Sequence, residues 1–111
     1  MYHSKIAGLG YFVPENIVTN DDLSKIIDTN DEWIQERTGI KERRHVIKGS
    51  GETTTSMGVK AAQIAIERSG IVKEDIDFIV FATISPDYYF PGPGVALQKE
   101  LGLNTIGALD I

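Results

Sequence analysis

The chain has 111 residues, a formal net charge of −5, 41% hydrophobic and 24% charged residues, and no cysteine. That length supports one domain with a core of its own but hardly two, and the composition argues against disorder. The acidic balance argues against nucleic acid as a partner, and the missing cysteines exclude disulfides, cysteine metal sites and, within this chain, a thiol nucleophile.

No apolar run approaches the roughly 20 residues that a bilayer crossing needs, so no membrane span is expected. The N-terminal MYHSKIAGLGYF lacks the layout of a secretory signal, which makes the cytoplasm the expected compartment. His3 and His45 lie far apart without metal-ligand spacing, so no metal site is expected.

In chain order, residues 4–13 (SKIAGLGYFV) read as a strand ended by Pro14. TNDDLSKII predicts a short helix, with Thr19 or Asn20 as N-cap and two aspartates at its positive end. TNDEWIQERTG predicts a second helix over 30–38, with capping-box spacing between Thr29 and Glu32 and Gly39 as its stop. Residues 40–47 (IKERRHVI) fit a short exposed strand, and KGSGETTT a loop.

SMGVKAAQIAIERSG is the strongest helical pattern. Met57, Ala61, Ile64 and Ala65 share one apolar face, which Ala62 and Ile66 widen, so most of this helix is expected to be buried. Residues 76–85 (IDFIVFATIS) form a continuous apolar run, as parallel strands covered on both faces do. Pro91 and Pro93 introduce a helix closed at Gly102, and NTIGALDI reads as a further buried strand. The alternation predicts an α/β layered domain with a mainly parallel sheet. Because the last strand ends at the last residue with no helix to cover it, the domain of residues 1–111 is expected to be the front part of a longer protein.

Three stretches bear on chemistry. GLGYFV opens like a dinucleotide fingerprint but has Val13 for its third glycine, and Pro14 blocks the receiving helix, so close packing of a strand is the better reading. Trp33 and Arg37 are four apart and share a helix face, with Ile34 turned toward the core. An indole beside a guanidinium offers a stacking surface and a phosphate-binding fork, suited to an adenine nucleotide; an ordinary surface Trp–Arg pair has the same pattern. Arg37, Lys41, Arg43, Arg44 and Lys48 make five of the eleven Lys and Arg residues, which fits either a polyanionic ligand or a cation-guarded edge strand. SPDYYFPGPG leaves the C-terminal end of a buried strand, where ligands of such sheets bind; a packed turn and a partner-contacting projection both fit its aromatics.

TNDEWIQERTGIKERR resembles the opening segment of β-ketoacyl-acyl carrier protein synthase III, the initiating condensing enzyme of bacterial fatty acid synthesis. IAGLGYFVPENIVTNDDL, TSMGVKAAQIAIERSGI, IDFIVFATISPDYYFPGPG and LQKELGLNTIGALDI resemble successive pieces of the same family, so the likeness covers essentially the whole chain. It implies a thiolase-like fold of αβαβα layers, of which this chain is most of the first half. It implies an acyltransferase that joins a short acyl-CoA to malonyl-acyl carrier protein by decarboxylative Claisen condensation, working as a homodimer with no cofactor beyond the coenzyme A thioester substrate.

By the same resemblance, Thr29, Trp33, Arg37 and Thr38 lie at the mouth of the coenzyme A tunnel. Trp33 stacks on the adenine, Arg37 and Thr38 lie near the phosphates and polar edge, and Phe90 reaches across the dimer to the partner's acyl pocket. The family's nucleophilic cysteine follows the strand that ends here in LDI, and its histidine and asparagine come later, so no catalytic residue is expected within this chain. A non-catalytic module that binds coenzyme A or dimerises, and a related condensing enzyme of secondary metabolism, are the alternatives.

Overall fold

The computed structural model describes residues 3–111. They gather into two compact units, residues 3–12 with Thr53–Ile111, and Val13–Glu52.

In the second of these, strand β1 (Ile17–Thr19) pairs antiparallel with β2 (Glu42–Arg44), Ile17 opposite Arg44 and Thr19 opposite Glu42. Between them run helices α1 (Asn20–Ser24) and α2 (Asp31–Thr38). Thr19 caps α1 in a closed box: its hydroxyl accepts the Asp22 N–H at 3.1 Å, and the Asp22 carboxylate accepts the Thr19 N–H at 3.1 Å. For α2 the expected cap moves by one residue. Asn30, not Thr29, is the N-cap, with its side-chain oxygen accepting the Trp33 N–H at 2.8 Å. Asparagine is the stronger capping residue, and its carbonyl reaches the third helical N–H from that position. Gly39 ends α2 in the left-handed region (φ 70°), as a helix-stopping glycine should.

The centre of this unit is polar. Asn20 is 1% exposed, and its side-chain amide donates to Asp31 Oδ1 at 2.8 Å and to the Ile40 carbonyl at 2.7 Å. Its oxygen accepts from the Arg43 guanidinium at 2.6 Å, and its backbone N–H donates to the Lys41 carbonyl at 3.3 Å. One side chain thereby ties α1 to the start of α2, to the turn after it and to β2.

The other unit contains the longest helix among the described residues, α3 (Thr54–Ser69), then a single 3₁₀ turn (Lys73–Asp75), β3 (Phe78–Phe81), α4 (Pro93–Leu101) and β4 (Gly107–Asp110). β3 and β4 are parallel, Phe78 beside Gly107 and Phe81 beside Asp110, with α4 as their connection. Two more hydrogen bonds extend the ladder: Ile111 N–H to the Phe81 carbonyl at 3.0 Å and Thr83 N–H to the Ile111 carbonyl at 2.9 Å. α3 packs on α4, and α4 on the two strands, around buried Ile79 and Leu97. Gly58 permits the close approach of α3 to β3, because a Cβ there would lie 2.9 Å from the Phe81 ring.

Several expectations are corrected. Residues 4–13 form no strand; the backbone instead lies against α3. A Cβ on Gly8 would collide with the Ala65 carbonyl and come within 2.8 Å of the Ser69 side chain, and one on Gly10 would collide with the Ala61 carbonyl. Strand character needs a hydrogen-bonded neighbour, and this segment has a helix face instead. The apolar run 76–85 shortens to four paired residues, the length of its partner β4.

Burial is also lighter than the pattern predicts. No residue of α3 is fully buried, and β3 is covered on one face only: Ile79 is buried while Phe78 and Val80 are more than half exposed. β4 is likewise mostly exposed. The sheet of this unit is parallel as expected, whereas β1 and β2 are antiparallel.

Removal of the buried amide should cost much of the stability of residues 13–52. Asn20→Ala leaves Asp31, the Ile40 carbonyl and Arg43 short of partners and should destabilise the protein by about 2–4 kcal/mol. Asn20→Asp should be at least as damaging, since it turns an acceptor toward two acceptors. Urea unfolding of both variants provides the measurement; a loss below about 0.5 kcal/mol would show that the network contributes nothing.

Candidate functional site

Two places carry chemistry, one in each unit. In the Val13–Glu52 unit it is the exposed side of α2. The four-residue spacing sets Arg37 over Trp33, its guanidinium carbon 5.8 Å from the centre of the indole. Trp33 is 54% exposed, and the next residue, Ile34, is 8% exposed and anchors the helix to its core. Within this chain Trp33 is not a core tryptophan: the ring stands in solvent with a cation beside it.

Beside Trp33 lies a cleft of about 190 Å³ lined by Asp28, Thr29, Asn30 and Trp33. The Thr29 hydroxyl is buried there without a hydrogen-bond partner among the described residues. A buried hydroxyl left unpaired is costly, and this one is the unsatisfied polar atom of a residue that lines the cleft. Thr29 and Trp33 thus line one cleft, and Arg37 lies over the Trp33 ring. Thr38 stands apart. Five residues on from Trp33 it is rotated by about 140° around the helix, and its hydroxyl is already engaged, donating to the Ile34 carbonyl at 2.8 Å and accepting the Ile40 N–H at 3.1 Å.

The cationic run divides by role. Arg43 is spent on Asn20 and on the Val18 carbonyl at 3.3 Å, and Arg44 on the Glu15 and Pro14 carbonyls at 3.0 and 3.3 Å. They hold the fold rather than a ligand. Arg37, Lys41 and Lys48 are exposed.

In the other unit, chemistry gathers where the strands end. A cavity of about 210 Å³ lies beyond the C-terminal ends of β3 and β4, with Thr83, Ile84, Tyr88, Tyr89, Asp110 and Ile111 among its walls. This is the end of a parallel sheet at which ligands bind. The aromatic loop that forms one wall is exposed at its tip, Tyr89 and Phe90 each 92%. Its base is fixed. Asp87 accepts the N–H groups of Thr54 and Thr55 at 2.9 and 2.7 Å, so its carboxylate sits on the positive end of α3, and the Thr54 hydroxyl donates to the Ser85 carbonyl at 2.9 Å. Burial alone would push the Asp87 carboxyl up, but the hydrogen bonds from Thr55, Thr53 and Thr54 outweigh it and hold the group below its ordinary value.

Three of the residues that organise these sites escaped sequence reasoning: Asn20 as a buried junction, and Asp87 and Asp110 as carboxylates on helix N-termini. The available signal for the two aspartates was their position just past apolar strand runs, at the level where the helices of an α/β layer begin.

No family model matches the chain. It is 54% identical over 112 aligned residues to β-ketoacyl-acyl carrier protein synthase III of Sulfurimonas denitrificans, an alignment covering 100% of this chain and 33% of that protein. Its fold matches the crystal structure of 3-oxoacyl-acyl carrier protein synthase III from Aquifex aeolicus with a TM-score of 0.89 at 43% identity, over 96% of this chain and 34% of that one. It also matches the priming β-ketosynthase of the R1128 polyketide biosynthetic pathway, with a TM-score of 0.88 at 34% identity, over 96% and 31% of the two chains. The chain thus spans about a third of the length of the curated relatives it matches, and over that span its fold is the thiolase-like α/β fold of synthase III.

The Asp87 clamp gives acid sensitivity a definite sign. Its folded pKa is lower than its unfolded value of about 3.9, so the unfolded state binds more protons as acid is added. The stabilisation is complete above about pH 5 and is lost as pH falls through 4 toward the folded value. The stability gap between the protein and Asp87→Asn should accordingly be widest at pH 7 and shrink steadily toward pH 3 in urea titrations. A gap independent of pH would show that the carboxylate charge is not what holds the loop.

Proposed function

We propose that the chain is the N-terminal part of a β-ketoacyl-acyl carrier protein synthase III, and that α2 holds the nucleotide end of its acyl-CoA substrate. The observation that carries this reading is the solvent-facing Trp33–Arg37 pair beside a cleft in which the Thr29 hydroxyl has no partner. Trp33 offers one face to the adenine, Arg37 a guanidinium fork to phosphate, and Thr29 a hydrogen bond to the base or ribose. Thr38, turned away from Trp33, would act from the end of α2, where its hydroxyl retains one acceptor lone pair.

In this proposal the complete enzyme transfers a short acyl group from coenzyme A to a cysteine. It then condenses that thioester with the enolate formed when malonyl-acyl carrier protein loses carbon dioxide. The chain contains no cysteine, so the thiol comes from outside these 111 residues. What this chain contributes is binding and shape: the nucleotide site on α2, and the anchored aromatic loop with Phe90 at its exposed tip, placed to form the acyl pocket of a partner copy in a homodimer. No cofactor beyond the coenzyme A thioester is required, and the compartment is the cytoplasm. The likeness to the priming β-ketosynthase favours one second reading, a condensing enzyme that starts a polyketide instead of a fatty acid; product analysis with the two kinds of carrier protein separates them.

If Trp33 stacks on adenine, Trp33→Ala in the complete enzyme should weaken acyl-CoA binding by about 5- to 150-fold, from roughly 1–3 kcal/mol of stacking. The loss should appear as a higher KM with a smaller change in kcat, because adenine is remote from bond making. Its exposure predicts that the melting temperature barely moves. An unchanged KM would defeat the assignment of α2 to the nucleotide.

Phe90 generates a separate expectation. Phe90→Ala and Phe90→Trp should alter the preference among acyl-CoA substrates more than the affinity for coenzyme A itself. Equal selectivity in all three enzymes would reduce Phe90 to a residue of its own loop.

A further inference from the structure

α4 begins without a cap of its own. Its N-cap position is Gly92, which has no side chain to offer, and the first turn Gly92–Pro93–Gly94 is buried, so its N–H groups have no access to water. The missing acceptor arrives from 16 residues away: Asp110, at the end of β4, accepts the Gly94 N–H through Oδ1 at 2.7 Å. The two glycines are the counterpart of that bond. A Cβ on Gly92, which also has φ 96°, would collide with the Asp110 carboxylate, and a Cβ on Gly94 would lie 2.9 Å from Oδ1. The turn is thus shaped to receive one carboxylate at close range.

Asp110 has a second property: it lines the cavity beyond β3 and β4. The loop between β3 and α4 forms another wall of that cavity through Tyr88 and Tyr89. The aromatic segment 88–90 of this loop is flanked on one side by Asp87, which accepts from the start of α3, and on the other by Gly94, which donates to Asp110. A segment anchored on both sides loses less conformational entropy when a ligand arrives.

We propose that Asp110 is a positioning residue that sets acyl-chain selectivity by locking the far end of the aromatic loop, and hence the cavity wall, to the sheet. This deepens the acyltransferase reading above and rests on it. The carboxylate takes no part in bond making; it acts through the Gly94 N–H.

The test uses the complete enzyme with acetyl-CoA and isobutyryl-CoA as competing substrates, and hydrogen exchange at the Gly94 amide as a readout independent of activity. Asp110→Ala should shift the ratio of kcat/KM for the two substrates by about tenfold, or about 1.4 kcal/mol, and speed Gly94 exchange by at least as much. Asp110→Asn, which keeps an acceptor oxygen, should restore both. Gly94→Ala, which displaces the carboxylate while leaving Asp110 in place, should reproduce the selectivity shift. Unchanged exchange in Asp110→Ala overturns the anchor. Faster exchange with an unchanged substrate ratio overturns the selectivity role and leaves Asp110 as a helix cap. A parent enzyme that condenses neither substrate overturns the proposed function, and the selectivity claim with it, while the exchange result still decides whether the anchor exists.

Discussion

A fully buried side-chain amide must find a partner for each of its polar atoms, and the arrangement of residues 13–52 follows from how Asn20 does so. The residue takes Asp31 and the Ile40 carbonyl on its nitrogen and Arg43 on its oxygen, so the two ends of α2 and the strand after it are held to a single point. The unit has little else to hold it. Ile34 and Pro14 are its buried apolar residues among the described residues, and its strands are three residues long. A small unit with so little apolar core needs directional contacts, and here they fix the rotation of α2 about its axis. Ile34 then points inward and Trp33 and Arg37 outward.

The same economy appears in the other unit, with carboxylates in place of the amide. Helices α3 and α4 each leave N–H groups unsatisfied at their starts, and each receives an aspartate from a distant segment, Asp87 and Asp110. A carboxylate on a helix N-terminus gains both hydrogen bonds and the favourable end of the dipole. Both therefore fasten a loop to a helix, and for Asp87 the hydrogen bonds outweigh the desolvation that burial imposes. The consequence is a rigid base under an exposed aromatic tip, which is what a wall of a selective pocket requires.

What the sequence revealed and what it hid have physical reasons. Local signals were legible: Thr19 at the start of α1, Gly39 and Gly102 in left-handed stops, Pro93 in the first turn of α4, and the four-residue spacing that places Arg37 over Trp33. Each depends on neighbours within one helical turn. Strand extent was not legible, because a strand exists only beside a partner and periodicity cannot say which segment the partner is; residues 4–13 met a helix instead, and residues 76–85 found only four paired positions. Burial was overestimated for the same reason: an apolar pattern states what a face can bury, and Phe78, Val80 and Leu109 remain open in this chain. The long-range hydrogen bonds of Asn20, Asp87 and Asp110 span 11 to 33 residues and leave no periodic trace.

The proposed nucleotide site on an acidic chain is consistent once distance is considered. The net charge of −5 acts on a ligand only through charges within about a Debye length, roughly 8 Å at physiological salt. Around Trp33 the local charges are of both signs: Arg37 lies 5.8 Å from the ring, and Asp28 lines the same cleft. Much of the remaining local positive charge is occupied: Arg43 and Arg44 are turned onto Asn20 and backbone carbonyls. The five clustered cations therefore do two jobs. Two arginines satisfy acceptors inside the fold, where a fork of fixed donors is worth more than a point charge. Arg37 keeps its fork free of carboxylates, next to a flat ring, and a phosphate-bearing aromatic ligand could meet both at once. On the proposed reading, discrimination lies in that pairing and not in the total charge, since a ligand lacking either the ring or the anion would gain only part of the contact.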